Sequence, residues 1–268
     1  MSERILQLKR ELRKGAGYIE FHINDLIDSG FLPSDFLHDI KMDACLYLKD
    51  MDEMKPRLNL LRADFRTTEI PNKIKDLVIK NGVTIEELDT NGLDETYNSD
   101  EMHWKYSINH TFKYYNGLHE ELTQEILNLP NIEISQMWWF DSFPADVEYA
   151  TQIKKLYDVL TKVFYPEYTN VEYGIQQTFY NKGCGIEDHE DGVTENSLFA
   201  ALTYLNNRYD SAWGGRLRVG TKSDIKLIEP NFGVISMLDF TLKNPTHGVE
   251  TVTNNNGRYA ILSFVNKK

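Results

Sequence analysis

The sequence predicts an α+β protein: a mostly helical region over residues 1–130, then a core over residues 131–268 that is chiefly an all-β sandwich or barrel. Two patterns predict it. Up to Pro130, apolar residues recur at three- and four-residue spacing, the period of helices with one buried face. After Pro166 the chain becomes short apolar runs with two-residue alternation, punctuated by Gly and Asn turns, as in antiparallel sheets.

In chain order, Pro33, Ser34 and Asp35 open a helical stretch carrying Phe36, Leu37, Ile40, Ala44 and Leu48. Pro71 stands where a first-turn proline belongs, and Gly82 follows Ile74, Leu77 and Val78 as a stop. Residues 83–109 are polar, with Asn91-Gly92 and the acidic group Asp94, Glu95, Asp100 and Glu101, which predicts a long loop or hairpin insertion. A short helix over 118–129 ends at Pro130, and Ile132, Ile134 and Met137–Phe140 suggest a strand. The strongest helix is expected from Pro144, with Tyr149, Ile153, Leu156, Leu160 and Val163 on one face. The β half then reads as strands around Tyr173–Phe179, Leu198–Leu205, Leu217–Val219, Val234–Leu238, Val249–Thr253 and Tyr259–Val265.

Composition narrows the function classes. Lys and Arg number 29 against 41 Asp and Glu, a net charge of −12, and a field of that sign repels phosphate backbones. General nucleic-acid binding is therefore not expected. No apolar run reaches the roughly 18 residues of a membrane span. The charged N-terminus, MSERILQLKRELRKG, lacks the apolar segment of a secretory signal, and the two cysteines, Cys45 and Cys184, form no CxxC pair. The expectation is a soluble cytoplasmic protein in a reducing compartment.

The chemistry concentrates in the β half. His189 and Asp191 are two residues apart, so on an extended strand an imidazole and a carboxylate project to the same side. His247, 58 positions later and flanked by Pro245 and Gly248, is the candidate third partner. Two His and one carboxylate on one face of a metal leave positions open for a co-substrate and O2, the facial arrangement of non-haem Fe(II) oxygenases. Arg258 begins the last apolar strand, an expensive place for a charge unless an anion meets it. Its guanidinium matches a carboxylate with a two-pronged, charge-assisted fork. The bland alternative is a solvent-exposed turn arginine after Gly257. The other five histidines, His22, His38, His103, His110 and His119, suit no common metal spacing and read as surface or packing residues.

Residues 173–266 resemble the prolyl-4-hydroxylase-like family of 2-oxoglutarate/Fe(II)-dependent oxygenases. The matching text is Tyr180, nine residues before His189; ALTYLN at 201–206; WGGRLRV at 213–219; IEPNFGVISMLDF at 228–240; NPTHGVETV at 244–252; and GRYAILSFV at 257–265. The resemblance implies a double-stranded β-helix (jelly-roll) core with His189, Asp191 and His247 as iron ligands. It implies Arg258 as the 2-oxoglutarate-binding arginine, Tyr204 as its hydrogen-bonding companion, and Tyr180 as a residue lining the co-substrate pocket. Trp213, Gly214 and Gly215 match a turn that shapes the fold. Fe(II), 2-oxoglutarate and O2 follow as cofactors and co-substrates, with ascorbate as a candidate reductant. Relatives that halogenate carry Gly or Ala where Asp191 stands, so hydroxylation is the implied reaction, with release of succinate and CO2.

The substrate implied is an amino-acid side chain, first of all a prolyl residue in a peptide or protein. Alternatives are a free amino acid or other small metabolite, or a catalytically silent jelly-roll binding module. Substrate contacts are expected from residues 83–109, Met137–Phe143 and Glu195–Ser197. Trp138, Trp139 and Phe140 are more simply core residues, since aromatics dominate cores.

Overall fold

A computed structural model describes residues 2–41, 58–80, 85–87, 106–112, 118–144, 150–180, 182–221 and 224–268. The expectations for Ala44, Leu48 and Cys45, and for most of 83–109, including Asn91-Gly92 and the acidic group, lie outside the described residues. So does His103, as do the side chains of His110, His119 and the Met137–Phe140 stretch.

The strands of the C-terminal half are β6 (Val171–Tyr180), β7 (Gly185–His189), β8 (Ser197–Tyr204), β9 (Leu217–Thr221), β10 (Asp224–Ile228), β11 (Val234–Asp239), β12 (His247–Val249) and β13 (Arg258–Lys267). They pair antiparallel in two sets, β11-β8-β13-β6 and β7-β12-β9-β10. The chain visits the sets in turn: β6, β8, β11 and β13 in one, β7, β9–β10 and β12 in the other. That alternation is the winding of a double-stranded β-helix, the jelly roll expected. Strand β5 (Glu133–Pro144) joins the sets, pairing with β6 through Asp141–Pro144 and with β7 through Trp138 and Trp139.

Side-chain alternation places the core. Along β8, Phe199 and Ala201 pack on the helical layer, whereas Ala200, Leu202 and Tyr204 face the interior between the sets. Along β13, Ile261 and Val265 face the helices, and Ala260 and Leu262 face inward. From the second set, Leu217, Val219, Ile228 and Val249 fill the same interior.

The helical layer is built on α5 (Ala150–Phe164), where Ile153, Leu156, Tyr157, Leu160 and Val163 form one buried stripe. The Tyr157 hydroxyl sits 3.3 Å from the Ala201 carbonyl and 3.4 Å from that of Ile261, tying the helix to β8 and β13. Pro144 does not open the helix as expected but is the last residue of β5; α5 is described from Ala150, and the expected Tyr149 lies outside the described residues.

The N-terminal region contains the expected helices and several strands besides. Its helices include α1 (Glu3–Glu11), α2 (Ile23–Asp28), α3 (Asn72–Lys80) and α4 (Leu118–Leu127), and residues 36–41 are helical where the stretch after Asp35 is expected to be. Strands β1 (Tyr18–His22), β2 (Leu58–Arg66), β3 (Glu86–Glu87) and β4 (Tyr106–Phe112) stand beside the helices of this mostly helical region. β1 extends the first set beside β11, and β2 bridges β4 and β5. Their pairing partners lie far along the chain, so tertiary pairing overrides weak local preference. Two further corrections concern the β half: β12 stops at Val249 instead of running to Thr253, and β10 forms a strand that its sequence does not announce.

Candidate active site

His189 closes β7 and His247 opens β12, and the two are direct cross-strand partners. On its other side His247 pairs with Val219, which faces the interior, so His247 faces the interior as well. The two imidazoles stand 4.4 Å apart between ring centroids, tilted by 50°. Asp191 follows two residues after His189 and places Oδ1 3.6 Å from His189 Nε2 and Oδ2 3.5 Å from His247 Nε2. One ligand atom from each of the three lies within 4.8 Å of the others, and this is the one cluster of such side chains among the described residues.

Both rings are oriented by the backbone. His189 Nδ1 is 2.8 Å from the Glu187 carbonyl, and His247 Nδ1 is 2.9 Å from that of Pro245. A carbonyl only accepts, so each Nδ1 carries the proton and each Nε2 presents a lone pair, the tautomer that ligates a metal. Asn244 donates through Nδ2 to the Asp191 carbonyl at 2.7 Å, joining the segment that precedes His247 to the one that carries the carboxylate.

Electrostatics favour a ligand set ready for a cation. Burial pushes the Asp191 carboxyl up, but the two histidines beside it outweigh burial, so its pKa falls below the ordinary value. Burial lowers the pKa of His247, with Asp191 pulling the other way. Ionised carboxylate and neutral imidazole are the forms that bind a divalent ion.

Arg258 opens β13 directly across from Tyr180 of β6 and is 1 % exposed, which removes the reading as a turn arginine in solvent. Its Cζ lies 4.7 Å from the Tyr180 ring centroid and 5.1 Å from that of Tyr204. The Tyr204 hydroxyl meets Ser236 Oγ at 3.2 Å. Nε and both terminal nitrogens of Arg258 have no hydrogen-bond acceptor among the described residues. A buried guanidinium in that condition is costly unless an anion completes it. Burial raises the pKa of Tyr180 and Tyr204, so both remain neutral donors, while the Arg258 charge acts in the opposite sense.

Sequence reasoning does not single out Asn206 and gives Gly214 and Gly215 no role beyond a turn that shapes the fold. Asn206 accepts from the Tyr259 N–H at 2.9 Å and donates to the Gly257 carbonyl at 3.1 Å, holding the backbone on both sides of Arg258. Gly215 lies against the Arg258 stem: a Cβ there would stand 3.3 Å from Arg258 Cδ and 3.1 Å from Val252 Cγ2. At Gly214, with φ +66°, a Cβ would meet the Thr251 carbonyl oxygen at 2.1 Å. Asn206, Asn244 and the Gly pair all sit inside the matching blocks, but their roles depend on contacts across 37 to 53 residues that spacing does not reveal.

Residues 175–266 match the family model described as the 2OG-Fe(II) oxygenase superfamily. They form a 2OG-Fe(II) oxygenase domain. The chain is therefore a 2-oxoglutarate- and Fe(II)-dependent dioxygenase, with Fe(II), 2-oxoglutarate and O2 as its cofactor and co-substrates. A prolyl-4-hydroxylase from Pseudomonas putida superposes with a TM-score of 0.51 at 12% identity, covering 98% of this chain and 99% of that one. A prolyl hydroxylase from Trichoplax adhaerens, solved with a hypoxia inducible factor oxygen degradation domain peptide fragment, gives 0.51 at 12% identity, covering 98% and 89%. At that identity the likeness shows a shared fold. No curated protein matches the oxygenase.

Proposed function

We propose that this dioxygenase hydroxylates an amino-acid side chain, first of all a prolyl residue in a peptide or protein, using iron held by His189, Asp191 and His247. The observation that carries the site assignment is the pairing of two unfilled demands in one interior. Three ligand atoms converge on the β7–β12 side, and an unpartnered buried guanidinium waits on the facing set. The fit is chemical: two neutral imidazoles and a carboxylate suit Fe(II), and a guanidinium suits the distal carboxylate of 2-oxoglutarate. The prolyl substrate is supported by the fold shared with the two prolyl hydroxylases.

Bound Fe(II) would activate O2, the oxidant, with 2-oxoglutarate giving two electrons and the substrate C–H bond two, so that one oxygen atom ends in succinate as CO2 leaves and the other on the substrate carbon. The chain's own residues bind and orient. Arg258 takes the distal carboxylate in a two-pronged bond, with the Tyr204 hydroxyl as a further donor and the Tyr180 ring as a wall. Leu202, Leu217, Val219 and Ala260 line the interior and limit water, which strengthens the Arg258 contact. The backbone bonds at Nδ1 keep both imidazoles aimed without adjustment when the metal arrives. Ascorbate serves as reductant in this scheme. No helix among the described residues is long and apolar enough to cross a membrane, and we place the enzyme in the cytoplasm, acting on peptides, proteins or small molecules and not on nucleic acid.

The test is a substrate screen with Fe(II), 2-oxoglutarate and O2 over proline-containing peptides and free amino acids, read by mass spectrometry together with succinate. Gain of one oxygen atom on a peptidyl proline is the expected result. Oxygen gained only by a free amino acid would move the reading to metabolite hydroxylation. Metal binding with no turnover of any substrate or of 2-oxoglutarate would point to a silent binding module.

A further inference from the structure

The two histidines depend on a short and irregular ladder. β12 has three residues, and its pairing with β7 shifts register between His247 and Val249, so Gly248 has no direct partner on that side. On the other side Gly248 pairs with Arg218 of β9. From there the Arg218 side chain crosses the face of β12 and reaches β7. Its Nε donates to Asp188 Oδ1 at 2.8 Å, and its second terminal nitrogen donates to the Ile186 carbonyl at 3.1 Å. The crossing requires a residue without a side chain at 248. A Cβ there would lie 2.5 Å from Asp188 Oδ1, 2.7 Å from the Arg218 nitrogen and 2.9 Å from the Ile186 carbonyl oxygen. Asp188 and Gly248 are the chain neighbours of His189 and His247.

We propose that Arg218 is a positioning residue for the metal centre, a clamp from β9 over Gly248 to β7 that fixes the spacing of His189 and His247. The inference rests on the reading of those two histidines as metal ligands. An exposed ion pair contributes little to stability on its own. Its effect therefore belongs to geometry, in the metal affinity, more than to the melting temperature. The adjacent pair, Arg216 with Glu250 at 2.6 and 2.9 Å, is an internal control. It starts one residue before β9 and its arginine is similarly accessible, but it ends on Glu250, one residue past β12, and never reaches β7.

The experiment titrates the metal-free full chain with Co(II), reading affinity and band shape from visible absorption, with melting temperature measured in parallel. Arg218→Met is expected to weaken Co(II) by about tenfold or more and to alter the band, the scale typical of residues that orient metal ligands. Arg216→Met is expected to stay within about twofold of the parent, since it leaves the ligand-orienting contacts in place. Gly248→Ala, which removes no charge, should reproduce the Arg218→Met loss. Arg218→Lys keeps stem and charge but cannot reach both acceptors, so it should fall in the same direction; it carries the test should the Met variant fail to fold. An Arg218→Met or Arg218→Lys protein that binds Co(II) like the parent, or an Arg216→Met loss of equal size, would overturn the clamp. A folded parent that binds no Co(II) would overturn the ligand reading itself, and the clamp with it.

Discussion

Arg258 is a buried guanidinium with no hydrogen-bond acceptor among the described residues, a condition that is costly unless a ligand completes it. Arg258→Ala should raise the 2-oxoglutarate requirement by about ten- to a hundredfold, the scale of one lost charge-assisted interaction, with metal affinity unchanged. Calorimetric or kinetic titration with 2-oxoglutarate checks it, and loss of metal binding instead would make Arg258 a scaffold residue. The ligands also set a pH dependence in the metal-free protein. Folded His247 resists a proton that the unfolded chain accepts, so stability begins to fall as pH drops below the ordinary His range of about 6.5. Asp191, depressed in the fold, contributes stability above the unfolded carboxyl value that is lost as pH falls through its folded value. Both act in the same sense: the melting temperature should decline on acidification, and His247→Ala should flatten the first part of the decline. His189, Asp191, His247 and Arg258 were legible because His, Asp and Arg carry recognisable chemistry at recognisable spacing. Asn206 and Asn244 were not, because an amide holding a distant backbone looks like any polar residue in a strand or turn.

The elements divide by how local their cause is. Helix α5 was readable because its apolar stripe runs for four turns and its partner is the outward face of β8, β11 and β13. Leu160 is fully buried in that contact, and Leu160→Ala should cost about 2–5 kcal/mol, measured by denaturant unfolding, with little effect on metal affinity. Strand β2 reads LNLLRADFR, whose leucines fit neither a clean two-residue nor a clean helical period. It is a strand because β4 and β5 flank it, 48 and 75 positions further on at their first residues. β1 alternates well, with Ile19 and Phe21 on the helical side, but five residues are too few to separate from a frayed helix. The edge strand β10 shows why pattern fails at a sheet margin: four of its five residues are exposed, so no buried face marks it.

At the scale of the whole molecule, the proposed division into residues 1–130 and 131–268 describes roles more than separate bodies. Ile5, Leu8, Ile23, Leu26 and Phe36 share one core with Leu156, Leu160, Phe199 and Ile235. Ala63, Phe65, Ile108 and Leu122 share the other with Val219, Leu238 and Ala260. A chain built so should unfold in one cooperative transition, and residues 131–268 alone should not reach a folded state, because both faces of the sheet would lose apolar cover. Coincident unfolding curves by circular dichroism and tyrosine fluorescence would agree; two separated transitions would mean the regions fold apart.

The central claim, that His189, Asp191 and His247 hold iron while Arg258 anchors 2-oxoglutarate beside it, is tested most directly by anaerobic visible absorption. The metal-free protein is titrated with Fe(II) and with 2-oxoglutarate, separately and together. A weak charge-transfer band that needs both additions and is absent in His189→Ala is the predicted result. Properly folded protein that gives no band, or a band that survives in His189→Ala, would contradict the account.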